Sequence, residues 1–114
     1  QKHTGKKPFN ASDKLLNLIN NKDYGSYFSK SIDSVPVNFL ATLDITNGNS
    51  GSATINSKFE LVGLAFDGML ETIIADYKHI PEARTISVDS RYLLWTLEKL
   101  EGAENILREL TIVD

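Results

Sequence analysis

A chain of 114 residues with a formal net charge of −3 is one domain's worth of polypeptide, in which 41% hydrophobic and 24% charged residues are the mix of an ordinary globular fold. No basic run exceeds Lys6-Lys7, which argues against a nucleic-acid surface, and the absence of cysteine excludes disulfides and thiolate metal sites. No apolar stretch approaches the roughly 20 residues that cross a bilayer, so no membrane span is expected.

Residues 1–10 read as an irregular lead-in broken at Pro8, and the start at Gln1 reads as that of a piece of something longer. Ser12 or Asn10 caps a helix whose apolar face is Leu15, Leu16, Leu18 and Ile19, ending near Asn21. Asp23-Tyr24-Gly25 is a turn signal, Tyr27 and Phe28 open a short second helix, and a polar connector closes at Pro36. From Val37 the texture becomes strand-like: Val37–Leu43, Ala53–Ile55 and Leu61–Phe66, with hairpin residues Asn56 to Phe59 between the last two. The third run is almost continuously apolar and predicts a strand buried on both faces. After an excursion from about Asp67 to Arg84, Thr85–Val88 returns as a strand. Asp89 then caps a helix with Tyr92, Leu93, Trp95, Leu97 and Leu100 at helical spacing, read as core. Gly102 ends or kinks this helix, and Ala103 to Leu110 continue helically. Two segments follow: a helical lead-in over 1–34, and a part over 35–114 that is mainly β with flanking helices and a terminal helix. Three or four short strands cannot close a barrel, but they can complete the second half of a trypsin-like double β-barrel.

The chemistry concentrates in Gly48-Asn49-Ser50-Gly51-Ser52, a glycine-flanked serine between two strands. Glycines let the backbone turn tightly and aim amides inward, where they stabilise an oxyanion beside a serine hydroxyl. Ser50 is the expected nucleophile, with the amides of Gly48 and Ser50 as the oxyanion hole. In trypsin-fold enzymes such a loop leads through a short strand and hairpin into a strand lining the specificity pocket, the place that Val62 to Gly68 occupies here. Taken alone, the pentad is also an ordinary turn, because glycine, asparagine and serine are common turn residues. A serine hydroxyl is a weak nucleophile without a base. His3 and His79 are the only histidines, His3 reading as solvated in a mobile end and His79, downstream of the serine, as a surface loop residue; in the trypsin fold the triad histidine and aspartate come from the first barrel, upstream of the serine, so both are expected outside this chain. The two histidines make no metal site. Asp13, Asp23, Asp33 and Asp76 read as caps, turns or surface.

Val35-Pro36-Val37-Asn38-Phe39-Leu40, Asp44-Ile45-Thr46, the pentad, Leu64-Ala65-Phe66-Asp67-Gly68, Arg84 to Tyr92 and Lys22-Asp23-Tyr24-Gly25 together resemble the bacterial dipeptidyl-peptidase 7 and 11 family, over nearly the whole chain. The resemblance implies a serine exopeptidase that removes dipeptides from peptides with a free N-terminus, in the periplasm or at the cell surface. It implies a double-barrel catalytic domain with an added helical domain, a homodimer, and no metal or other cofactor. This chain resembles the C-terminal end of such an enzyme and is expected to be inactive alone. Eighteen positions after the nucleophile, acidic-specific members carry arginine and hydrophobic-preferring members glycine; here the residue is Gly68. The resemblance thus assigns Gly68 and Phe66 to the substrate pocket, with a hydrophobic second residue preferred, and Asp67 to the substrate ammonium, a charge-assisted contact. Asn49 stands where trypsin has the aspartate that pairs with a freshly cleaved N-terminus, so activation by that route is not expected. The sequence departs from the family pattern at Asn47 and Phe59, where glycine is usual, at Ala53 for a frequent proline, and at Met69-Leu70 for a more polar pair. Asparagine tolerates a left-handed conformation, so Asn47 is compatible with the loop. A trypsin-like endopeptidase, or a non-catalytic module of the same fold, remains open at this point.

Overall fold

The computed structural model describes residues 2–74, 77–78 and 80–113. The first helix, α1, spans Asp13–Asn20, and the Ser12 side chain accepts from the Leu15 amide at its N-terminus. A single 3₁₀ turn, Gly25–Tyr27, follows. Four strands, β1 (Asn38–Ala41), β2 (Ala53–Ile55), β3 (Leu61–Gly68) and β4 (Thr85–Asp89), form one antiparallel sheet in the order β1-β4-β3-β2. A second 3₁₀ segment, Leu70–Ile74, lies between β3 and β4. Beyond β4 the chain turns directly into α2 (Ser90–Trp95), continues as a π-helical segment over Thr96–Glu101, stops at left-handed Gly102 (φ 65°), and ends with α3 (Glu104–Leu107).

Asp89 sets the strand-to-helix corner. Its amide donates to Val37 O, its carboxylate accepts from the Arg91 amide, and the Arg91 guanidinium closes on both carboxylate oxygens at 2.9 and 2.8 Å. This N-cap sits where the sequence places it, and it is buried. The core cluster joins the lead-in to α2: Tyr27, Val35 and Trp95 are buried, with Leu15, Leu18, Tyr24, Tyr92 and Leu94 packed around them. Leu94 takes a core place that the spacing argument gave to Leu93 and Leu97. Trp95 Nε1 donates to Asp23 O at 2.8 Å, and the Lys99 ammonium meets Asp23 at 3.2 Å, so the Asp23-Tyr24-Gly25 turn is clamped onto the helix.

The sheet corrects one expectation. Strand β3 is not buried on both faces: Gly63 and Ala65 are buried, while Leu61 and Phe66 remain about half exposed. Registry puts Thr54, Gly63 and Asp89 side by side on one face, continued by Ala65, Ser87 and Phe39. Small residues dominate this buried face because there is no room for larger ones. A Cβ on Gly63 would lie 2.4 Å from Val88 O and 2.7 Å from the Phe39 ring. Buried hydroxyls therefore pair with each other, Thr54 with Ser87 at 3.0 Å, or with backbone, Thr85 onto Leu43 O at 2.6 Å.

Candidate active site

The loop between β1 and β2 is folded by its own polar groups. Thr46 and Asn49 are bonded reciprocally: the Asn49 amide donates to Thr46 O at 3.2 Å, and the Thr46 amide donates to Asn49 Oδ1 at 2.8 Å. Gly48 and Gly51 hold φ values of 95° and 89°, a region glycine enters without steric cost. Space is open around both, so the constraint there is conformational and not a clash. Asn47 is not among the left-handed residues; Phe59, in the β2–β3 hairpin, is, with φ 64°. That conformation is the one for which glycine is suited, and Asn56 Oδ1 holds it by accepting from the amides of Lys58 and Glu60.

The loop is stitched onto β3 where that strand bulges. Gly51 N donates to Ala65 O at 2.7 Å and Ala65 N donates to Ser52 O at 2.9 Å. Pairing with β4 steps from Ala65–Ser87 to Asp67–Ile86, which makes Phe66 the extra residue of a β-bulge. The Ser50 hydroxyl is exposed and reaches Phe66 O at 3.5 Å, a weak contact. The amides divide into two sets. Those of Asn49, Gly51 and Ser52 are bonded within the protein, whereas those of Gly48 and Ser50 have no acceptor among the described residues. Two unengaged donors flanking an exposed serine are what an oxyanion requires.

A cleft of about 330 Å³ lies between this loop and the end of β3. Gly48, Ser50, Phe66, Asp67 and Gly68 all line it, so every site residue singled out from sequence meets there. Sequence reasoning missed Ile45, Leu70, Thr72 and Ile73 in the lining. Leu70, Thr72 and Ile73 follow Gly68 in a segment too short to show periodicity, and Ile45 precedes the serine loop in a turn-rich stretch. Gly68 does not open onto empty space. A Cβ there would lie 2.4 Å from Thr72 Oγ1 and 3.0 Å from its methyl. Asp67 is exposed, and its carboxylate accepts from the Gly68 amide at 2.8 Å, leaving its second oxygen available to a ligand.

His3 is not merely solvated: its Nδ1 accepts from the Ala11 amide at 3.0 Å and ties the lead-in together. His79 and Asp76 lie outside the described residues. Asp13 sits in the first turn of α1, and exposed Asp33 pairs with Lys22 at 3.9 Å. Among the described residues no group of three or more histidines and acids forms a metal site, and no helix is long and apolar enough to cross a membrane.

The family model described as Peptidase S46 matches residues 1–112. The Asp/Glu-specific dipeptidyl-peptidase of Shewanella putrefaciens is 40% identical over 98% of this chain, and dipeptidyl-peptidase 7 of Capnocytophaga gingivalis is 42% identical over 96%. This chain spans only 18% and 15% of those two relatives. The crystal structure of Porphyromonas endodontalis DPP11 in complex with the dipeptide Arg-Asp superposes with a TM-score of 0.86 at 37% identity, over 95% of this chain and 16% of that one. The same protein with Arg-Glu gives the same TM-score.

Proposed function

Because this chain belongs to the peptidase S46 family, we propose that it is the nucleophile-bearing part of a serine dipeptidyl-peptidase that releases dipeptides from peptides with a free N-terminus. In this reading residues 35–114 are the second half of a trypsin-like double barrel, residues 1–34 are the lead-in from a capping helical domain, and the triad histidine and aspartate lie outside the chain. The observation that carries the reading is the exposed Ser50 beside the two unengaged amides, at the rim of the cleft that Gly68 lines. Ser50 Oγ attacks the carbonyl of the second substrate residue once a histidine supplied from elsewhere takes its proton. The Gly48 and Ser50 amides bind the oxyanion. Without that base the chain alone is inert.

The second residue enters the cleft. Relatives of both named specificities are about equally similar to this chain, at 40% and 42% identity, so overall similarity does not choose between them. The lining does. Ile45, Phe66, Met69, Leu70 and Ile73 share the lining with Gly68, and among the described residues that lining contains no lysine or arginine to meet a carboxylate. A hydrophobic second residue is therefore preferred. Asp67, exposed and with one carboxylate oxygen unused, is assigned to the substrate ammonium. The enzyme is placed in the periplasm or at the cell surface and as a homodimer, which cell fractionation and sedimentation of the complete protein test directly.

The decisive assay uses the complete enzyme with a free-amine dipeptidyl fluorogenic substrate bearing a hydrophobic second residue, its N-blocked twin, and Ser50→Ala. Cleavage of the free-amine substrate alone, lost in Ser50→Ala, is expected. Cleavage of the blocked twin would make it an endopeptidase, and no cleavage of either by folded enzyme would make it a non-catalytic module.

A further inference from the structure

We infer that Thr72 is a specificity-determining residue that sets the depth of the cleft jointly with Gly68, limiting the size of the substrate's second side chain. The inference rests on the reading of the cleft as the site for that side chain. Thr72 lies in the 3₁₀ segment after β3 and lines the same cleft as Ser50 and Gly68. Its rotamer is locked: the hydroxyl donates to Met69 O at 2.6 Å, and its own amide donates to the same carbonyl at 2.9 Å. Met69 is fixed in turn, its amide donating to Arg84 O at 3.0 Å just before β4. The side chain of Thr72 is thus held to the Met69 carbonyl, which is itself anchored through Met69 to Arg84, just before β4.

Thr72 occupies the volume that any side chain at position 68 would need. An ideal Cβ on Gly68 meets Oγ1, the methyl and Cβ of Thr72 at 2.4, 3.0 and 3.1 Å. Glycine at 68 alone therefore does not deepen the cleft; the space it vacates is filled by threonine. The two groups of Thr72 are separable by substitution. Serine retains the hydroxyl bond to Met69 and removes only the methyl. Valine retains the shape and removes the bond.

The test is the ranking of kcat/KM in the complete enzyme over free-amine dipeptidyl substrates whose second residue runs from Ala through Val and Leu to Phe. Thr72→Ser is expected to raise the Phe-to-Val ratio by about tenfold, since one methyl group in an apolar pocket is worth about that much discrimination. Thr72→Val is expected to keep the wild-type ranking with a lowered melting temperature. Gly68→Ala is expected to depress every substrate, and Gly68→Ala with Thr72→Ala to recover most of that loss. A wholly structural role would lower all substrates alike and leave the ratios fixed. Unchanged ratios in Thr72→Ser, with Ser50→Ala inactive, would overturn the inference and leave the cleft reading standing. Activity retained in Ser50→Ala would overturn both.

Discussion

Tyr27 and Glu98 meet across 71 positions of sequence, the phenol donating to Oε2 at 2.6 Å. The bond fastens the 3₁₀ turn after α1 to the π-helical segment after α2, next to the stacked pair Tyr92 and Trp95. Burial first, then the carboxylate bond and charge of Glu98, push the Tyr27 phenol up from 10.0 to about 12. A raised value means that the folded state keeps a proton that the unfolded chain releases. The stabilisation is present in full below pH 10 and is lost as pH rises through about 12, at up to about 1.4 kcal/mol per pH unit. Urea melts of the complete enzyme at pH 9 to 12 are expected to show this slope, and Tyr27→Phe to flatten it while costing about 1 kcal/mol at neutral pH. An equal slope in the phenylalanine variant would reject the assignment.

Trp95 is the centre of the core that joins the lead-in to α2, 3% exposed and with its indole N–H satisfied by Asp23 O. Trp95→Ala removes the largest buried aromatic surface and leaves that carbonyl unpaired, a loss of about 3–5 kcal/mol. Trp95→Phe retains most of the packing and is expected to cost about 1–2 kcal/mol. Denaturant midpoints measure both. A small effect of the alanine variant would mean that residues 1–34 do not depend on α2 for their place.

Much of this was legible beforehand where a side chain acts on its own neighbourhood. The Asp89 cap follows from local backbone chemistry and sits where the sequence puts it; of Ser12 and Asn10 the structure uses Ser12, and of an end or a kink at Gly102 it shows a left-handed end. The apolar run of β3 misled, because periodicity reports that a strand is apolar and not what covers it. The covered face belongs to polar residues, and of these Thr54, Ser87 and Thr85 are buried against partners 33 or more positions away. Thr72 was silent for the same reason: its meeting with Gly68 is set by a five-residue turn with no repeat to read.

The bond between Asn49 and Thr46 predicts a catalytic effect without a binding effect. Asn49 Oδ1 holds the Thr46 amide at 2.8 Å and so fixes the turn that carries the Gly48 and Ser50 amides, the oxyanion donors in the proposed function. If those amides bind the oxyanion as proposed, Asn49→Ala releases the turn and misplaces donors that act in the transition state more than in the ground state. In the complete enzyme kcat is expected to fall about tenfold or more, with KM within about twofold of wild type. Asn49→Asp keeps the acceptor and is expected to retain more activity than Asn49→Ala. A rise in KM alone would assign Asn49 to substrate binding instead.

Thr54 and Ser87 form a hydroxyl pair, at 6% and 0% exposure, on the face of the sheet that leads toward the Ser50 loop. Either hydroxyl can be the donor, so neither single removal is neutral. Ser87→Ala leaves Thr54 Oγ1 dry and unpaired, and Thr54→Val does the same to Ser87, each costing about 1–3 kcal/mol. Removing both leaves no orphan, because valine and alanine replace the pair with apolar groups of similar shape. The double variant is therefore expected to cost less than the sum of the singles, with a coupling of about 1 kcal/mol or more. A double-mutant cycle by thermal or denaturant melting reads this directly. Strict additivity would mean that the two hydroxyls do not depend on each other, and that the small-residue face is held by packing alone.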